Sequence, residues 1–126
     1  MSNFVMDASA VLAFLHGEKG SEQVETLISH SIISAVNMAE VLTRSMELGH
    51  TRSTALQAFS MLGLEVVEFD ARHALKAAEL RAVTKHLGLS LGDRSCLALA
   101  IVNDATAVTA DRDWKTLDCC PIEFIR

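Results

Sequence analysis

The run Cys96-Leu97-Ala98-Leu99-Ala100-Ile101-Val102 carries no charged side chain on any side. A helix that is apolar around its whole circumference has to be buried. The chain therefore needs further layers to cover it, and 126 residues are enough to supply them within one core. A single carboxylate, Asp93, stands at the head of this segment, in "LSLGDRSCLALA" (Leu89–Ala100). Ser90 lies three residues before it, which is capping-box spacing with Ser90 as N-cap. A charge at the mouth of the most buried helix can thus be a cap or a member of a reactive site.

What surrounds that helix follows from periodicity. Asn3–Met6, Ser31–Val36, Leu64–Phe69, Thr106–Ala110 and Pro121–Ile125 read as short strands. The last is expected at an edge, because its proline lacks a ladder donor. Helical patterns fill the gaps. Ala8–Leu15 stops at Gly17, and Ser21–Ser29 carries Val24, Leu27 and Ile28 at helical spacing. Asn37 opens a third helix, with Met38, Val41, Leu42, Ser45 and Met46 on one face and Gly49 at its end. Thr51–Leu62 puts Ala55, Leu56, Phe59 and Leu62 in register. Asp70 caps Ala71–His86, with Leu75, Ala78, Ala82 and Val83 inward, and the apolar segment occupies Ser90–Asn103. Strands alternating with helices predict an α/β fold, a three-layer domain whose parallel sheet is covered on both faces. Residues 1–126 read as one domain, since one proline and six glycines leave no linker.

The formal net charge is −5, which does not suit simple nucleic-acid binding through basic surface. RNA binding would need local basic residues or a bridging cation, and an acidic surface would equally suit a basic protein partner. Cys96, Cys119 and Cys120 are odd in number and two are adjacent, which makes neither a disulfide framework nor a zinc site. A reducing cytoplasm is the expected location. No secretory signal is expected, and no apolar run approaches the roughly 20 residues of a membrane span. His16, His30, His50, His73 and His86 have no metal-ligand spacing and read as surface or helix-end residues. Trp114 is expected to pack and Cys96 to be a small buried apolar residue.

The acidic residues fall in a pattern. Asp7 directly follows the first strand and Asp111 the fourth. Glu40 lies in the first turn of the helix after the second strand, and Asp93 begins the helix that feeds the fourth. Each alone is explicable as a cap, since carboxylates are stabilised at helix N-termini. Asn37 and Glu40 share the spacing of Ser90 and Asp93. Taken together, four carboxylates near the carboxyl edge of a sheet, where sites gather in such folds, would repel one another and call for a cation. Oxygen ligands select a hard ion, Mg²⁺ or Mn²⁺.

Four stretches in order, "FVMDASAVLAFL", "ISAVNMAEVLTR", "LSLGDRSCLALA" and "VTADRDW", resemble the motifs of PIN-domain ribonucleases, in particular the VapC-like toxins of toxin–antitoxin pairs. The resemblance covers essentially the whole chain. It implies a PIN fold with a central parallel five-stranded sheet, and Mg²⁺ or Mn²⁺ held by Asp7, Glu40, Asp93 and Asp111. Ser9 would support the site by hydrogen bonding, and Asn37 and Asp113 would be further polar members of its rim. It also implies endoribonuclease activity leaving 5′-phosphate and 3′-hydroxyl ends, with metal-bound water as the attacking group. The expected partners are RNA, a cognate antitoxin, a second copy of the chain in a homodimer or toxin–antitoxin hetero-oligomer, and DNA only through the antitoxin. No membrane is expected to be involved. Arg94, Arg112 and Lys115 flank the motifs as possible phosphate contacts, and the helical stretch Ala35–Leu62 is a plausible surface for protein contact. The alternatives are a PIN nuclease of RNA maturation, an aspartate-dependent phosphatase and an inactive PIN-like binding module. A phosphatase usually needs a second acid two residues after the first, where this chain has Ser9. An inactive module would be expected to lack some of the acids.

Overall fold

Neighbouring residues on three strands point to opposite sides and sort the core into two layers. Val5, Ile32 and Ala107 face one cluster, and their successors Met6, Ile33 and Val108 face the other. This is the period of two expected of a sheet buried on both faces. The computed structural model describes residues 3–126. Its five strands are β1 (Phe4–Met6), β2 (Ser31–Ser34), β3 (Glu65–Val67), β4 (Thr106–Thr109) and β5 (Ile122–Phe124). They pair in the order β3-β2-β1-β4-β5, all parallel. β5 is an edge strand, as expected, but it begins at Ile122 and leaves Pro121 just outside it. The strand order reverses between β1 and β4, and in open α/β sheets that switch point is where a crevice forms.

The helices are α1 (Ala8–Leu15), α2 (Ser21–Leu27), α3 (Ala35–Glu47), α4 (Arg52–Ser60), α5 (Ala71–Thr84) and α6 (Leu91–Val102). α5 and α6 cover the face holding Val5, Ile32 and Ala107, while α1, α2, α3 and α4 cover the other. The three-layer arrangement is therefore present. α6 is buried from Ser95 to Ala100, as its composition requires. Leu97 and Leu99, both fully buried, each contribute about 2 kcal/mol of apolar burial. None of the helices among the described residues is long and apolar enough to cross a membrane.

Two expectations need correction. β2 ends at Ser34 rather than Val36, because the Ser34 hydroxyl accepts from the Val36 N–H at 3.2 Å and starts α3 early. Asn37 is thus inside the helix and does not open it. The second correction concerns α5, whose buried face is His73, Ala77, Leu80 and Thr84. Leu75 and Val83, expected inward, are 65% and 57% exposed. Both faces have helical spacing, and packing against α6 selects between them. Ala77 is small enough for close approach, and its carbonyl accepts from Arg94 Nη1 at 2.9 Å.

All three cysteines are free, and they differ in burial. Burial pushes the Cys96 thiol well up, reinforced by the carboxylates of Asp7, Asp93 and Glu40. Half-buried Cys119 is brought down to about 7, chiefly by hydrogen bonding from the Cys120 thiol, whose own ionisation is pushed up by the same interaction. Thiolate is the reacting form. Brief alkylation of the folded protein with iodoacetamide near pH 7.5 is expected to label Cys119 first and spare Cys96, as read by peptide mass spectrometry. Equal labelling of all three would contradict these environments.

Candidate active site

Asp7 follows β1 and remains in the ladder, its N–H donating to Val108 O at 2.9 Å. It occupies the N-cap position of α1 but makes no side-chain cap bond. Its carboxylate turns instead to two hydroxyls. Ser9 Oγ donates to Asp7 Oδ2 at 2.5 Å and Thr109 Oγ1 donates to the same oxygen at 3.0 Å. Each hydroxyl in turn accepts a backbone N–H, Ser9 from Ala110 and Thr109 from Asp111, both at 3.0 Å. The hydroxyl protons are thereby directed at Asp7. Asp7 is only 4% exposed. Burial pushes its carboxyl up to about 7. The charges of Asp93 and Glu40 add to this, against the opposing pull of the Ser9 and Thr109 hydrogen bonds.

Glu40 projects from the second turn of α3, one turn later than expected, because the helix begins at Ala35. Its Oε1 accepts from Asn37 Nδ2 at 2.8 Å. The same Nδ2 donates to the carbonyl of Gly92 at 3.0 Å, tying α3 to the first turn of α6. The Asn37–Glu40 spacing is therefore a bond within the helix and not a capping box. Burial raises the Glu40 carboxyl and Asp93 raises it further, while the Asn37 hydrogen bond opposes both.

Asp93 is a cap and a member of the group at once. Ser90 N–H donates to Asp93 Oδ2 at 3.0 Å and Asp93 N–H to Ser90 Oγ at 3.1 Å, a complete capping box. From that position its charge still reaches both Asp7 and Glu40. Three expected acids, Asp7, Glu40 and Asp93, thus share one electrostatic site. Asp111 borders it through its N–H to Thr109, but its Oδ1 accepts from Asp113 N–H at 2.9 Å and caps the 3-10 turn Arg112–Thr116. Asp113 is exposed and supplies that backbone N–H.

Of the flanking cations, Arg94 is tied to Ala77 O and is not a free phosphate contact. Arg112 lies over the Phe124 ring at 5.1 Å, and Lys115 is exposed. Trp114 is fully buried, as expected of a packing residue. His73 is buried at the start of α5, its ring edge-on to Phe69, and so is not a surface histidine. Two participants, Thr109 and Gly92, escape sequence reasoning. The available signal for Thr109 was a polar residue ending the strand that leads to Asp111.

The donor set fits a hard cation. Two hydroxyls contact the Asp7 carboxylate, the charges of Glu40 and Asp93 reach it, and Asn37 Oδ1, beside Glu40, is buried with no hydrogen-bond partner. Among the described residues, no three acidic, histidine or cysteine side chains stand close enough together to hold a metal ion by themselves. Mg²⁺, which keeps several waters and takes only one or two carboxylates, is the hard cation such oxygens would suit.

A parallel α/β sheet with a buried aspartate at its switch point, within the field of two further acids, defines a class of α/β proteins with an acidic site. More particularly, the chain belongs to the PIN domain family, whose profile matches residues 4–118. No curated protein matches it in sequence. Several solved structures share its fold. DNA-bound VapBC from Salmonella typhimurium aligns over 100% of both chains with 19% identity and a TM-score of 0.77. VapBC-5 from Mycobacterium tuberculosis aligns over 98% of this chain and 99% of that one, with 21% identity and a TM-score of 0.69. FitAcB from Neisseria gonorrhoeae aligns over 97% of each, with 16% identity and a TM-score of 0.73.

Proposed function

We propose that this protein is a Mg²⁺- or Mn²⁺-dependent endoribonuclease that acts as the toxin of a toxin–antitoxin pair. The observation that carries this reading is the carboxylate of Asp7 buried at the switch point of the sheet, within the field of Glu40 and Asp93. Keeping like charges together in a low-dielectric crevice is unfavourable, and a divalent cation relieves it. Asp7, Glu40 and Asp93 would hold the ion directly or through water, with Asp111 joining from the neighbouring strand end. When bound, the ion lowers the pKa of a coordinated water and offsets charge on the phosphodiester. The protein's own part is orientation. Ser9 and Thr109 fix the plane and charge of Asp7, the capping box fixes Asp93, and Asn37 fixes Glu40. Asp113 is a further acid at the same end.

The partners proposed are an antitoxin, in keeping with the toxin–antitoxin complexes whose fold this chain shares, some of them bound to DNA, together with a second copy of this chain and DNA reached through the antitoxin. A basic antitoxin segment would complement the acidic site. Exposed Met46, Leu48, Leu56 and Met61, within the stretch Ala35–Leu62, offer apolar contact surface for it.

Purified protein incubated with total RNA is expected to cut it when Mn²⁺ or Mg²⁺ is added and to stop on chelation. Mapped ends should carry 5′-phosphate and 3′-hydroxyl groups. Cleavage that continues undiminished in excess chelator would reject the metal-dependent mechanism.

A further inference from the structure

Gly92 is the one glycine whose backbone does not require glycine. The other five, Gly17, Gly20, Gly49, Gly63 and Gly88, adopt positive φ, and Gly92 does not. It sits in the first turn of α6, where alanine would favour the helix. The reason for glycine is spatial. A Cβ at this position would fall within 2.6 Å of three atoms of Glu40, namely Cδ, Oε1 and Oε2. Those atoms end a rotatable side chain, so an alanine would displace the carboxylate and leave the backbone in place. Asn37 holds the same carboxylate from the other side. Its Nδ2 bridges Glu40 Oε1 and Gly92 O, and because both partners are acceptors, the amide orientation is fixed. Asn37 is itself fully buried.

We infer that Gly92 and Asn37 are positioning residues that seat the Glu40 carboxylate against the start of α6, beside Asp93, and that this seating sets the affinity of the site for a divalent cation. The inference rests on the metal-dependent reading above and adds to it the two residues that make Glu40 available. A larger residue at position 92 leaves all the acids in the sequence and still weakens the site. Such outer supports typically account for about 10–100-fold in metal affinity.

The test compares wild type, Gly92→Ala, Glu40→Ala and the double variant, with Mn²⁺ titrated and followed by electron paramagnetic resonance. Gly92→Ala is expected to bind Mn²⁺ about tenfold more weakly while unfolding in urea at a midpoint no lower than wild type. The double variant should bind no more weakly than Glu40→Ala alone, because both changes act through one carboxylate. In metal-free protein, the Asn37 side-chain amide resonances should move as Glu40 leaves them. Asn37→Ala is the second variant and should weaken Mn²⁺ binding in the same direction. Wild-type affinity in Gly92→Ala, or multiplied losses in the double variant, would overturn the positioning role. A wild-type protein that binds no Mn²⁺ would instead overturn the metal-dependent reading, and the inference with it. An unmoved Asn37 amide would overturn the seating alone.

Discussion

Asp7→Asn is expected to eliminate RNA cleavage and at the same time make the metal-free protein more stable above neutral pH. The folded-state carboxyl sits at about 7, far above the roughly 3.8 it has when exposed in the unfolded chain. A group raised in the folded state binds more protons folded than unfolded over that interval. Its contribution is therefore fully present below about pH 4 and is lost as pH rises through about 7. Metal-free wild type should melt at a lower temperature at pH 8 than at pH 5, and Asp7→Asn should lose most of that dependence. The asparagine carbonyl can still accept from Ser9 and Thr109 without burying a charge. The gain at pH 8 is about 2–4 kcal/mol, the scale of holding a carboxyl at about 7 instead of 3.8. Mn²⁺ should stabilise wild type by binding the folded state and leave the variant unmoved. A variant less stable than wild type at pH 8 would show that the Asp7 charge is not a burden on the fold.

Asp93→Asn should separate the two roles of that residue. Its carbonyl oxygen can keep the bond from Ser90 N–H, so the capping box survives. The charge on the helix start is lost, costing roughly 0.3–1 kcal/mol, and this is offset by relief of the repulsion that raises Asp7 and Glu40. Net stability should stay close to wild type in thermal melts. Cleavage should fall by about a hundredfold or more, the scale of removing a preorganised electrostatic group. A variant that cuts RNA at the wild-type rate would leave Asp93 with its capping role only.

The residues that made the fold legible act locally. Val5 and Met6, Ile32 and Ile33, and Ala107 and Val108 each place neighbours on opposite faces, so the strands could be found without a structure. Ser90 and Asp93 are three residues apart, and their capping box is complete within one turn. Asp7 and Asp111 are legible because Asp7 directly follows β1 and Asp111 lies two residues beyond the end of β4. The misjudged points are of another kind. Helical spacing allowed two faces of α5, and packing on α6 chose the one containing Ala77. The Ser34 hydroxyl moved the start of α3 and with it the turn that carries Glu40.

The sequence by itself determined a parallel α/β chain with its acids at strand ends and helix starts, because those properties depend on periods of two and 3.6 and on caps that span three residues. Only the tertiary structure decided which of those acids meet and what holds them. Thr109 reaches Asp7 across 102 positions of the chain, and Asn37 reaches Gly92 across 55. The missing side chain at Gly92 has meaning only once Glu40 has been brought against it. Asp111 is drawn to its own 3-10 turn for a local bond, while Asp7, buried between two strands, is left to share its field with Glu40 and Asp93. Contacts at such separations are set by how the layers pack, and no pattern within a few residues encodes them.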